Sequence, residues 1–174
     1  MDGNFWVFGY GSLIWRPGFE FEESTTATLH GWHRAMCILS TLYRGSAREP
    51  GLVLGLDRGG SCRGVAFRIA AGKAEAIRQY LYDREMITQV YTPRFAPLRL
   101  ADGRRVSGYL FTARRDHVQY SGPLSPDQAV ALIRQGAGSG GTCRDYLAST
   151  VEHLERLGIR DAALARLLHR VDAP

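Results

Sequence analysis

Strand-forming and helix-forming sequence are segregated along this chain, and that order limits it to few folds. Up to residue 113, short runs rich in β-branched and aromatic residues dominate, at residues 4–8, 35–42, 52–56, 62–69, 90–100 and 106–113. Breaks separate most of them, at Arg44-Gly45-Ser46, Glu49-Pro50-Gly51 and Asp57-Arg58-Gly59-Gly60. Asp102-Gly103 between the last two runs signals a hairpin. One helix interrupts the series, over residues 73–85, with Ala74, Ile77 and Leu81 on its apolar face. The last third is helical. Ser125-Pro126-Asp127-Gln128 has a capping serine, proline at the first helical position and glutamine in the capping-box place. Thr142 opens a second helix to about Leu157, and Asp161 caps a last one to His169. Strands gathered ahead of helices predict an α+β fold, a mixed β-barrel-like sheet with helices packed at its edge. With 174 residues and no repeat or linker, a single domain over residues 1–174 is expected.

Composition narrows the function. A hydrophobic share of 45% suits a folded globule, and no apolar run approaches the roughly 18 residues that would span a bilayer. Met1-Asp2-Gly3-Asn4 lacks a basic segment followed by an apolar stretch, so neither a signal peptide nor a membrane partner is expected, and a cytoplasmic protein is. Cys37, Cys62 and Cys143 are odd in number and widely spaced, which indicates neither a zinc ribbon nor a disulfide scaffold. The net charge is +5, and Lys73 is the only lysine among 22 basic residues. The arginines are scattered rather than gathered into a stripe. That argues against a nucleic-acid partner and mildly favours small anionic substrates.

Two features carry chemistry. The opening β-run ends in Gly9-Tyr10-Gly11-Ser12-Leu13-Ile14, a turn with little side-chain bulk. Glycines there permit positive φ and let a ligand approach main-chain N–H groups, so the turn is a candidate anion cradle; a plain tight turn is the alternative. Glu85 continues the spacing of Ile77 and Leu81, which directs it to the core side of its helix. At the helix C-terminus, in apolar surroundings, its carboxyl is expected to hold its proton more tightly and to serve as general base or acid. An ion pair with Arg84 or a frayed helix end is the other reading. Gly136-Ala137-Gly138-Ser139-Gly140-Gly141 fits G-x-G-x-x-G but follows a helix, which argues against a dinucleotide turn. There is no phosphate-loop lysine and no nucleophile elbow. His30 and His33 lack a third ligand nearby and read as polar turn or sheet-edge residues.

The stretch Trp6-Val7-Phe8-Gly9-Tyr10-Gly11-Ser12-Leu13-Ile14-Trp15 resembles the ligand-binding signature of the ChaC-like gamma-glutamylcyclotransferase family. The resemblance continues through Gly31-Trp32-His33-Arg34, Arg44-Gly45-Ser46, Pro50-Gly51 and Gly64-Val65-Ala66-Phe67-Arg68. It takes in Tyr82-Asp83-Arg84-Glu85-Met86 with Tyr91 and Pro93, and the late Gly-rich loop up to Tyr146-Leu147. It implies cleavage of glutathione to 5-oxoproline and cysteinylglycine with Glu85 as the catalytic proton acceptor and donor. Substrate binding is implied for Gly9, Tyr10, Gly11, Ser12, Leu13, Ile14, Arg44, Tyr120 and Tyr146, with no cofactor or metal. A cyclotransferase for other γ-glutamyl amides, or a non-catalytic module binding a γ-glutamyl metabolite, is the alternative. Two positions depart from the family pattern: Leu52 where an arginine is expected, and Cys143 where asparagine is common.

Overall fold

The computed structural model describes residues 5–174. Asn4, the first residue of the predicted opening run, and the rest of Met1-Asp2-Gly3-Asn4 lie outside the described residues. Strands β1 (Phe5–Gly9), β2 (Glu23–Ser40), β3 (Gly51–Ile69), β4 (Tyr91–Leu100) and β5 (Arg105–Ala113) close into a barrel in the order β1-β3-β2-β4-β5. β1 runs antiparallel to β3, with Phe8 opposite Ala66, and parallel to β5, with Trp6 opposite Gly108. β4 is antiparallel to both β2 and β5. The parallel β1–β5 seam makes the sheet mixed. With helices α1 (Ala74–Glu85), α2 (Pro126–Gln135), α3 (Cys143–Arg156) and α4 (Ala162–Asp172), the fold is α+β, as the order of elements predicts.

The chain divides into two compact units. One holds residues up to Arg34 together with residues 56–114; the other holds residues 35–55 and 115–174. In the first unit, strand alternation sorts side chains into two cores. Trp6 and Phe8 of β1 point inward with Ala27, Leu29, Leu56, Cys62, Ala66, Ala96, Leu98, Leu100 and Leu110, drawn from all five strands. Val7 points the other way. It joins Val65, Phe67, Ile69, Tyr109 and Phe111 on the outer face, where Ile77 and Leu81 of α1 cover them. The spacing of Ile77 and Leu81 thus lays α1 against β1, β3 and β5.

In the second unit, Ser125 and Gln128 form the expected capping box at α2: the serine Oγ accepts from Gln128 N–H, and the glutamine Oε1 accepts from Ser125 N–H at 2.9 Å. Thr142 and Asp161 cap α3 and α4 in the same way, each accepting a backbone N–H three residues on.

Three differences from the sequence expectation have physical causes. β2 begins at Glu23, twelve residues before the predicted run. Its first half is polar, yet Ala27 and Leu29 alternate with more exposed residues and supply the barrel face. β3 runs through the predicted break at Gly59-Gly60, because those glycines adopt φ of 98° and 69° and absorb the bend. α4 continues past His169 to Asp172. There Arg134 of α2 donates to the carbonyls of Arg170 (3.1 Å), Val171 (3.0 Å) and Ala173 (2.5 Å), closing the helix end with a guanidinium. No helix among the described residues is long and apolar enough to cross a membrane.

Leu81 is fully buried where α1 meets the sheet. Leu81→Ala is expected to cost about 2–5 kcal/mol of stability, read as a lower midpoint in urea denaturation.

Candidate active site

The turn after β1 is built by close packing. Past Gly9 the chain enters a 3₁₀ turn, Ser12–Ile14, in which Ile14 N–H donates to Gly11 C=O at 2.9 Å and Arg16 N–H to Ser12 C=O at 2.8 Å. Leu13 is buried with Val7, Phe67 and Leu81, so the turn is rooted in the same core as α1. Positive φ is not what its glycines provide: Gly9 is extended strand and Gly11 has φ −140°. A Cβ on Gly9 would lie 3.1 Å from Leu13 Cβ and 3.3 Å from the Phe67 ring, and one on Gly64 would collide with the Gly9 carbonyl oxygen. Small residues here let the turn fold back onto β1 and β3. The N–H groups that open a 3₁₀ turn, here those of Ser12 and Leu13, have no acceptor within the turn.

Two arginines brace this turn. Arg34 donates from Nε to the Tyr10 carbonyl at 2.7 Å and from Nη2 to the Arg63 carbonyl at 2.5 Å. Arg84 donates from Nη2 to Ser12 Oγ at 3.1 Å and from Nη1 to the carbonyls of Arg16 (2.6 Å) and Pro17 (3.2 Å). Its Nε lies 3.2 Å from Glu85 Oε1. Glu85 is the last residue of α1, and its side chain keeps 21% of its surface exposed. Burial pushes its carboxyl above the ordinary glutamate range, and the Arg84 charge opposes this without cancelling it. A carboxyl of weakened acidity therefore sits one guanidinium away from the turn. The ion pair with Arg84 exists alongside that weakened acidity.

The second unit holds Arg44, Tyr120 and Tyr146. Arg44 lies over the Tyr146 ring, 5.6 Å from its centroid, and donates from Nη1 to the Thr142 carbonyl at 3.2 Å. Tyr146 Oη accepts from Leu54 N–H at 3.4 Å, and Tyr120 bridges to Ile38. The Gly-rich loop forms a small hairpin, β6 (Ala137–Gly138) with β7 (Gly141–Thr142). Gly140 N–H donates to the Tyr43 carbonyl at 2.8 Å, and a Cβ on Gly136 would lie 2.6 Å from the Arg44 carbonyl oxygen. The glycines serve backbone contact with residues 42–44.

Both departures from the family pattern meet here. Cys143 is buried; its Sγ accepts from Leu52 N–H at 3.0 Å and donates to Leu52 C=O at 2.7 Å. One thiol supplies the donor and the acceptor that a carboxamide would. Burial pushes this thiol up, away from reactive thiolate character. Leu52 itself is fully buried. Elsewhere, His33 Nδ1 lies 3.0 Å from the Gly59 carbonyl oxygen. Among the described residues no group of three or more His, Cys, Asp or Glu is arranged to hold a metal ion.

The braces were not legible in the sequence. Arg34 reaches Tyr10 across 24 residues and Arg84 reaches Ser12 across 72, distances that no local pattern encodes. The only signal was Arg84 standing beside Glu85.

A family model described as ChaC-like protein matches residues 5–174. The chain is 42% identical to a glutathione-specific gamma-glutamylcyclotransferase of Escherichia coli over 167 residues, covering 96% of this chain and 72% of the relative. It is 32% identical to gamma-glutamylcyclotransferase 2-3 of Arabidopsis thaliana, over 95% of this chain and 87% of that one. Among solved structures, a yeast gamma-glutamyl cyclotransferase specific to glutathione has the same fold, with TM-score 0.89 at 23% identity over 97% of this chain and 96% of the other.

Replacing Cys143 by alanine strips partners from both Leu52 backbone groups. Cys143→Ala is expected to lower stability by about 1–3 kcal/mol. Cys143→Ser, which keeps a donor and an acceptor, is expected to lose less when both are unfolded in urea.

Proposed function

Because the chain belongs to the ChaC-like protein family, we propose that it is a glutathione-specific γ-glutamylcyclotransferase. The substrate's own α-amino nitrogen attacks its γ-carbonyl carbon, the bond from that carbon to the cysteine nitrogen breaks, and 5-oxoproline and cysteinylglycine leave. No enzyme nucleophile is needed. Well-oriented intramolecular attacks reach effective molarities of about 10⁵–10⁸ M, so holding the γ-glutamyl chain folded supplies much of the acceleration.

Protons are the remaining difficulty. The amine arrives as an ammonium and cannot attack until it loses one. Glu85 takes that proton and returns it to the departing nitrogen. The leaving group departs as a neutral amine, and the ring nitrogen then sheds its surplus proton to that freed amine, which leaves a neutral lactam and an ammonium product. A carboxyl of ordinary acidity would be a poor acid in the second half of this cycle; one weakened by burial suits both halves. Main-chain N–H groups of the Gly9–Ile14 turn receive the substrate's α-carboxylate or the oxyanion that develops on the γ-carbonyl.

The observation that carries this reading is the half-buried Glu85 carboxyl, its proton held more tightly than usual, on a helix that shares its core with Leu13 of the turn. The buried cysteines Cys37, Cys62 and Cys143 form no disulfide among the described residues, which goes with a reducing, cytoplasmic setting.

Incubating purified protein with reduced glutathione is expected to release 5-oxoproline and cysteinylglycine in equal amounts, and other γ-glutamyl amides to react far more slowly. Absence of 5-oxoproline, or equal rates from all amides, would overturn the assignment. Glu85→Gln is expected to lower kcat by about 10²–10⁴ with circular dichroism unchanged. The base must be ionised and its pKa is raised. So kcat/KM of the native protein should fall as pH drops through a limb above the ordinary glutamate range, and the Gln variant should lack that limb.

A further inference from the structure

We propose that Arg84 is a positioning residue for this reaction, a single guanidinium that ties the Gly9–Ile14 turn to the carboxylate-bearing end of α1. The proposal rests on the cyclotransferase reading and concerns how its two halves are held in register.

Arg84 directs its donors to three separate pieces of chain. Nη2 reaches Ser12 Oγ inside the turn; Nη1 reaches the Arg16 and Pro17 carbonyls just after it; Nη1 also lies 3.2 Å from Tyr80 Oη one helical turn back. Nε meets Glu85 Oε1. A guanidinium is rigid and planar, so these contacts constrain one another; a lysine ammonium at the same place could satisfy only part of the set. The side chain keeps 25% of its surface exposed, which shields its bonds from water more than a surface pair's. Ser12 and Glu85 are thereby linked through one planar group before any substrate arrives. Intramolecular ring closure is sensitive to such registration, since a displacement of about 1 Å can cost on the order of 10²-fold in rate.

Arg84 also faces Glu85 as a charge. Among the described residues it is the one charged group that shifts this carboxyl. Asp83, its other charged neighbour on α1, is bonded to Gln79 on the exposed face. The strands and loops packed against α1 bring apolar side chains and the tyrosines Tyr91 and Tyr109.

The test compares the native protein with Arg84→Lys and Arg84→Gln, measuring kcat, KM and the pH dependence of kcat/KM for 5-oxoproline release from glutathione. A native protein that releases none removes the cyclotransferase reading itself. With native activity established, both variants should show kcat/KM at least ten-fold lower, because neither restores the set of contacts. The acid limb should move to higher pH in Arg84→Gln, which removes a charge favouring the ionised carboxylate, and stay put in Arg84→Lys. A general loss of structure would not produce that split. Native kcat/KM in both variants, or an unmoved limb in Arg84→Gln, overturns the proposal. Should Arg84→Gln fail to fold, Arg84→Lys decides alone: a ten-fold loss with the native limb supports the tether, and native kcat/KM refutes it.

Discussion

Withholding one carboxyl from water is the constraint on which the account depends. Glu85 could be a strong acid like any surface glutamate, and α1 would be no less helical. It is a weak one because Ile77 and Leu81 bury the same face of the helix against β1, β3 and β5, and the last turn carries Glu85 down with them. The Arg84 charge acts against this, and magnitude decides the contest. Desolvation is the larger of the two causes, so the ion pair trims the effect of burial without reversing it.

The turn depends on the same core from the other side. Leu13 anchors it among the residues that seat α1, Gly9 and Gly64 let it press against the strands, and Arg34 and Arg84 hold its flanks. Catalysis by ring closure asks little chemistry of a protein and much geometry. A folded substrate supplies its own nucleophile, so what remains is to hold it, to move protons and to receive negative charge. In the proposed mechanism those tasks fall to a barrel strand ending in a braced turn and to a helix ending in a carboxyl of weakened acidity.

Much of this was legible in the sequence, and the parts that were not share a cause. Segregated strand and helix patterns gave the fold class, and Ser125, Thr142 and Asp161 marked three helix starts because capping is local. The spacing of Ile77, Leu81 and Glu85 disclosed which way the carboxyl points, since helical periodicity needs no tertiary knowledge. What escaped was set by distant partners. β2's polar first half is a strand because β4 lies beside it, and the glycine pair in β3 bends a strand that its neighbours keep continuous. Arg134 extends α4 from another helix, and Arg34 and Arg84 reach the turn from far along the chain. The turn glycines were read for unusual dihedrals and prove to matter for clearance. Leu52 and Cys143 read as two independent departures, yet one thiol bonds both backbone groups of the other residue.

The most direct measurement is the titration of Glu85 itself, followed by carboxyl-carbon NMR on protein labelled at glutamate. The account predicts one glutamate resonance whose midpoint lies above the ordinary range, missing from the Glu85→Gln spectrum and coincident with the kinetic acid limb. A spectrum in which every glutamate titrates in the ordinary range would contradict it.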